Sequence, residues 1–179
     1  EAGQVSLGNL VAMATAAKSV VLVGDQMQLA QPIQGAHPRD SGSSALDYLL
    51  EGHAVVPPDR GIFLSKTWRM HPDLCAFISD AVYEGKLHSE AGCARQRLVL
   101  AKDAHPALKP TGLSFLPVSH IGCRQKSEDE ALIVRDLLSS LVKQRVISRK
   151  GDERAMTLED VLVVAPYNMQ VNLLRSVLP

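Results

Sequence analysis

Short apolar runs that end on polar residues, set between helical patterns, constrain this chain more than any other feature. Val20-Val21-Leu22-Val23 stops at Gly24-Asp25, Ile62-Phe63-Leu64 leads into Ser65-Lys66-Thr67-Trp68-Arg69, and Val161-Leu162-Val163-Val164-Ala165 gives way to Pro166-Tyr167-Asn168. A further run, Leu113-Ser114-Phe115-Leu116-Pro117-Val118, also reads as a strand. Apolar residues in a continuous rather than alternating run mark a strand covered on both faces. Strands of that kind interleaved with helices imply an α/β fold, a parallel sheet with helices on both faces. Open sheets bind ligands beyond the carboxyl ends of their strands. The polar residues that fall there are Asp25 and Gln28, Trp68 and Arg69, and Tyr167 and Asn168.

The intervening segments carry helix signals. Leu7, Leu10, Val11 and Ala14 recur at helical spacing over 6–17,. Ser44 can cap a short helix, Ala45 to Leu50, that ends before Gly52,. Pro72 suits a first helical turn and Asp73 complements its dipole, after which Leu74, Phe77, Ile78, Ala81 and Val82 form one apolar face closed by Gly85,. Ser127-Glu128-Asp129-Glu130 is a capping box ahead of Ile133, Leu137, Leu138, Leu141 and Val142,. Asn168 is expected to cap a helix carrying Val171, Leu174 and Val177,. A polar connector occupies 34–43, and Val56-Pro57-Pro58-Asp59-Arg60-Gly61 reads as an interdomain linker, because consecutive prolines exclude helix and central strand,. Between Lys86 and Gly112 periodicity fades and cations outnumber anions, a pattern that suits a solvated excursion better than a nucleic-acid contact,.

Composition narrows the partners. With 19 basic and 19 acidic residues the formal charge is +0, so any nucleic-acid site has to come from local clustering,. No apolar run approaches the roughly 18 residues of a membrane span, and no membrane partner is expected. Cys75, Cys93 and Cys123 have no C-x-x-C spacing, and the histidines show no H-x-x-x-H or H-E-x-x-H pattern. This argues against a disulfide framework and a zinc site, assigns no metal to protein ligands, and fits a reducing, cytoplasmic compartment. The chain opens on Glu1 without methionine and stops at Pro179 after a helical pattern, so a piece of a longer protein is expected. Each polar residue at a strand end has a plain alternative. Asp25 could serve a turn, Gln28 a solvated loop, Arg69 a salt bridge, Trp68 core packing and Asn168 only a cap.

Taken together, Gly24-Asp25-x-x-Gln28-Leu29, then Trp68-Arg69-Met70-His71-Pro72, then Ala165-Pro166-Tyr167-Asn168-x-Gln170-Val171 resemble, in order and spacing, superfamily 1 helicases of the nonsense-mediated-decay and nuclease-helicase type. The likeness covers nearly the whole chain and is nearest to the helicase half of bacterial proteins with a RecB-like nuclease domain upstream. It implies a RecA-like P-loop NTPase fold with ATP and Mg2+ between two lobes and single-stranded nucleic acid across them, DNA in preference to RNA. Residues 1–58 would be the C-terminal part of the first lobe and 59–179 a truncated second lobe. Glu1-Ala2-Gly3-Gln4 resembles the tail of an Asp-Glu-Ala-Gly-Gln motif, which makes Glu1 the carboxylate that activates the attacking water. The resemblance implies catalytic roles for Glu1, Gln28 and Arg69, the last as an arginine finger. Nucleotide contacts would fall to Asp25, Gln28 and Arg69, and nucleic-acid contacts to Trp68, Pro166, Tyr167 and Asn168. Trp68 stands where the family usually has tyrosine, and Leu29-Ala30-Gln31-Pro32 replaces a leucine followed directly by proline.

The sequence has no G-x-x-x-x-G-K-[ST] loop to cradle phosphates,. The expectation is therefore an ATP-dependent helicase as the parent protein, with the isolated fragment inactive. Two alternatives are a nucleic-acid-binding module that uses a RecA-like lobe without ATP turnover, and a different phosphoryl-transfer enzyme of doubly wound fold.

Overall fold

A computed structural model describes residues 1–30, 32, 35–119 and 121–179. Gln31 and Gln34, which belong to the expected loop and connector, lie outside the described residues. The chain forms two compact units, one of residues 1–67 and 76–88, the other of residues 68–75 and 89–179.

In the first unit, helix α1 (Leu7–Ala14) starts at Ser6, whose hydroxyl accepts from Asn9 N at 3.3 Å. Helix α2 (Ala45–Leu50) starts at Ser44, whose hydroxyl accepts from Asp47 N at 3.4 Å, and ends at Glu51 in the left-handed region. Ser44 is the cap the sequence marks, whereas Ser6, expected as the first residue of a helix over 6–17, caps a shorter one,. The two helix starts are tied by Leu7 N to Ser43 O at 2.9 Å and Ala45 N to Val5 O at 2.7 Å. Ala2, Ala45, Leu50 and Val55 form the buried centre. Strand β1 (Lys66–Thr67) pairs with β2 (His88–Ser89), and between them helix α3 (Pro72–Val82) supplies its residues 76–82 to this unit. The Gly85 stop is made by Gly85 N donating to Ser79 O at 2.9 Å with φ at +71°,.

The second unit holds an antiparallel ladder of β3 (Arg97–Val99), β4 (Arg145–Ile147) and β5 (Glu153–Ala155), with β4 in the centre. Helix α4 (Glu128–Leu141) is capped by Ser127, whose hydroxyl accepts from Glu130 N at 3.2 Å, and it packs on α5 (Asn168–Val177). Cys75, Cys93, Ala131, Leu138, Met156 and Leu174 are buried. Gln144, 3% exposed, is a polar hub: its Oε1 accepts from Ala101 N at 2.7 Å, its Nε2 donates to Ser140 O at 2.7 Å, and its carbonyl accepts from Met156 N at 3.0 Å.

Mixed helix and strand content agrees with the α/β reading, but the strands are not the expected ones. The runs Val20–Val23, Ile62–Leu64, Leu113–Val118 and Val161–Ala165 lie outside any hydrogen-bonded strand, with Val21, Ile62 and Leu162 each 86% exposed and Phe115 91%. The three-stranded ladder is antiparallel, its first strand lies where periodicity fades, and each of its short strands carries one arginine. An apolar run fixes its own extended preference, whereas a ladder also needs a neighbour in register, which is a property of another segment.

Candidate functional site

The first unit gathers Glu1, Asp25 and Gln28 through backbone contact. Glu1 N and Ala2 N both donate to Val23 O, at 3.0 and 3.1 Å. A Cβ on Gly3 would lie 2.2 Å from Asp25 O, and one on Gly24 would lie 2.5 Å from Ala2 N. Only glycine permits so close an approach, so Glu-Ala-Gly-Gln and Gly-Asp lie backbone against backbone. Gln4 Nε2 extends the contact to Leu29 O at 3.3 Å, and Gln26 Nε2 pins the loop to His53 O at 2.8 Å and Ala54 O at 2.9 Å.

Asp25 does serve a turn, its Oδ1 accepting from Met27 N at 3.0 Å,. Its Oδ2 does more, accepting from Gln28 Nε2 at 3.0 Å and from the Tyr83 hydroxyl at 2.5 Å. Tyr83 follows α3 directly, and its ring packs on Phe63 with centroids 6.0 Å apart. Burial, then the Asp25 hydrogen bond and the carboxylate charge, push the phenol up to about 12,. Glu1 and Gln28 are exposed. The backbone segments that carry one acidic and one amide residue therefore meet at the end of an apolar run. That arrangement can take a proton from, or orient, a small hydroxylic donor.

The remaining predicted residues belong to the second unit. Trp68 is 61% exposed, which removes the core-packing reading, and the Arg149 guanidinium lies 5.7 Å from its ring centroid,. Arg69 is exposed. His71 Nδ1 accepts from Asp73 N at 3.1 Å, and Asp73 Oδ2 accepts from Thr111 Oγ1 at 2.6 Å, which fixes the first turn of α3. Pro166, Tyr167 and Asn168 are exposed at the start of α5. The cap position is Tyr167, with Asn168 as the first helical residue, so the cap falls one residue earlier than expected and its side chain makes no capping bond. Gln170, quoted in the same motif, is 7% exposed and bonds the backbone of Ser127.

Sequence reasoning missed Tyr83 and Arg149. Tyr83 lies one residue beyond the apolar face of α3, and the only hint was that a half-buried phenol needs a partner for its hydroxyl. Arg149 sits in the β4–β5 turn, with no local mark of its ring contact. Among the described residues no group of three or more His, Cys, Asp and Glu is placed to hold a metal ion. No helix among them is long and apolar enough to cross a membrane.

Residues 42–179 match the family described as AAA domain. The chain belongs to the AAA domain family. Within the matched span lie Trp68, Arg69, Pro166, Tyr167 and Asn168, while Glu1, Asp25 and Gln28 precede it. Over 165 residues this AAA domain is 28% identical to the DNA polymerase alpha-associated DNA helicase A of Schizosaccharomyces pombe, an alignment that covers 89% of the chain. It covers 24% of that relative, so the AAA domain spans about a quarter of the length of the curated protein it matches. No solved structure matches it at a significant level.

Proposed function

We propose that this AAA domain is part of an ATP-dependent nucleic-acid helicase, in which hydrolysis drives movement along a single strand, DNA in preference to RNA. The observation that carries the reading is the backbone contact of Glu1–Gly3 with Gly24–Asp25, which sets Glu1 and Gln28 on one tight loop system. Similarity to a protein named as a DNA helicase supports it. In this reading residues 1–58 belong to a first RecA-like lobe and 59–179 to a second, of a longer cytoplasmic chain that can also carry a RecB-like nuclease domain.

ATP, when bound to the longer protein, would supply the phosphoryl group for hydrolysis. Glu1 would take the proton of the attacking water, and Gln28 would orient it. Arg69 supplies a guanidinium, permanently charged and planar, to the phosphate oxygens. Asp25 shapes the loop that presents Gln28. The donor set does not fit a magnesium ion by itself, since no carboxylate cluster accompanies Glu1 among the described residues. Trp68 and Tyr167 offer exposed rings on which bases can stack, worth about 1–3 kcal/mol each,.

The decisive experiment is Arg69→Ala in the longer protein. Turnover of ATP is expected to disappear while single-strand binding persists, and normal turnover would overturn the assignment. The 179-residue chain, lacking a phosphate loop, is expected to show no ATP hydrolysis. The second reading, a nucleic-acid-binding module without turnover, is favoured by the Arg149–Trp68 pair, which suits a stacked base whether or not ATP is consumed,. A longer protein that binds single strands yet hydrolyses no ATP would select it.

A further inference from the structure

Gln28 has a neutral side chain with two chemically opposite ends, and what it recognises depends on which end faces outward. Among the described hydrogen bonds, its amide is held by one partner, Asp25 Oδ2, at 3.0 Å. An ionised carboxylate only accepts, so the end that faces Asp25 has to be Nε2, and the reversed amide would set two acceptors against each other. Asp25 is fixed in turn, with Met27 N on Oδ1 and the Tyr83 hydroxyl on Oδ2. Tyr83 comes from a point 58 residues further along the chain, and Phe63 packs against its ring.

We propose that Tyr83 is a positioning residue for Gln28: its phenol pins the Asp25 carboxylate, and the carboxylate turns the Gln28 amide so that Oε1 is presented. This rests on the reading of Gln28 as part of the nucleotide site. An outward Oε1 takes a hydrogen-bond donor, a water or a hydroxyl. Phosphate oxygens are acceptors and do not pair with it. The water or hydroxyl partner of Gln28 is thus met by Oε1, while the second Nε2 hydrogen is the part of the amide that can meet a phosphate oxygen.

The test uses 15N-labelled 179-residue chain and follows side-chain amide signals at neutral pH. In the unsubstituted chain the Gln28 NH2 pair is expected away from free-glutamine positions, with slowed hydrogen exchange. Tyr83→Phe is expected to move it toward free-glutamine positions, while the Gln26 and Gln170 amides, bonded to backbone carbonyls elsewhere, stay in place. Retained Gln26 and Gln170 signals also report that the variant is folded. Asp25→Ala, which leaves the Tyr83 ring on Phe63, is a second variant and is expected to release the same amide. Gln28 signals unchanged by Tyr83→Phe, or already at free values in the unsubstituted chain, would overturn the proposal. In the longer protein Tyr83→Phe is expected to lower kcat on the order of 10–100-fold with KM for ATP held, and a raised KM with kcat intact would count against positioning. A longer protein that hydrolyses no ATP, with the amide lock present in the spectra, removes the proposed function and leaves the lock standing.

Discussion

Replacing Gln170 with alanine isolates the energetic role of one buried amide. Its Oε1 accepts from Ser127 N at 2.7 Å and its Nε2 donates to Ser127 O at 3.2 Å, closing a two-point clamp between the start of α5 and the cap of α4. Both residues are buried, Ser127 at 4% exposure and Gln170 at 7%. Alanine leaves the Ser127 N–H without a partner, at a cost of about 1–3 kcal/mol, while Ser127 O keeps its bond from Ala131 N at 3.2 Å. That loss is equivalent to a fall in Tm on the order of 2–12 °C for a chain of this size. Gln170→Glu sharpens the test because it keeps the volume. Its carboxylate can accept from Ser127 N but would set a second acceptor against Ser127 O. Only the protonated acid can donate there. The substituted carboxyl should therefore titrate above its unfolded value, and the variant should gain stability as pH falls through that range. Thermal and urea unfolding of both variants, at neutral and mildly acidic pH, provide the assay. A loss below about 0.5 kcal/mol for Gln170→Ala, the range of an ordinary surface change, would refute the reasoning.

Gly3→Ala places a methyl 2.2 Å from the Asp25 carbonyl oxygen, and it is expected to cost several kcal/mol by forcing the two backbones apart,; a thermal unfolding curve matching the unsubstituted chain would count against the close approach. Tyr83 is expected to titrate at about 12 in a spectrophotometric titration. Because the folded value lies above the unfolded value of about 10, its contribution to stability is complete below that pH and is lost as pH rises toward 12,. Asp25→Asn should return the phenol part of the way, since burial, the larger cause, remains.

Local chemistry was legible and long-range pairing was not. Ser44 and Ser127 announce their helices because a cap acts on amides within three residues,. Gly85 and Pro72 bound α3 for similarly local reasons. The ladder of β3, β4 and β5 was hidden because three-residue strands carrying Arg97, Arg145 and Glu153 have too little apolar alternation to register as a period,. At the candidate site, Asp25 and Gln28 are three residues apart and could be paired by inspection. Tyr83 meets Asp25 across 58 residues, and no spacing rule reaches that far. The same limit applies to Gln170, whose bond to Ser127 spans 43 residues.

Gln144 links the segment after β3, the last turn of α4 and the residue after β5 with one side chain and its own carbonyl. None of those three can swing open without breaking bonds that the others share. In the language of native-state hydrogen exchange they form one foldon, so the amides of Ala101 and Met156 should share a single opening free energy, above that of the β4–β5 turn beside them.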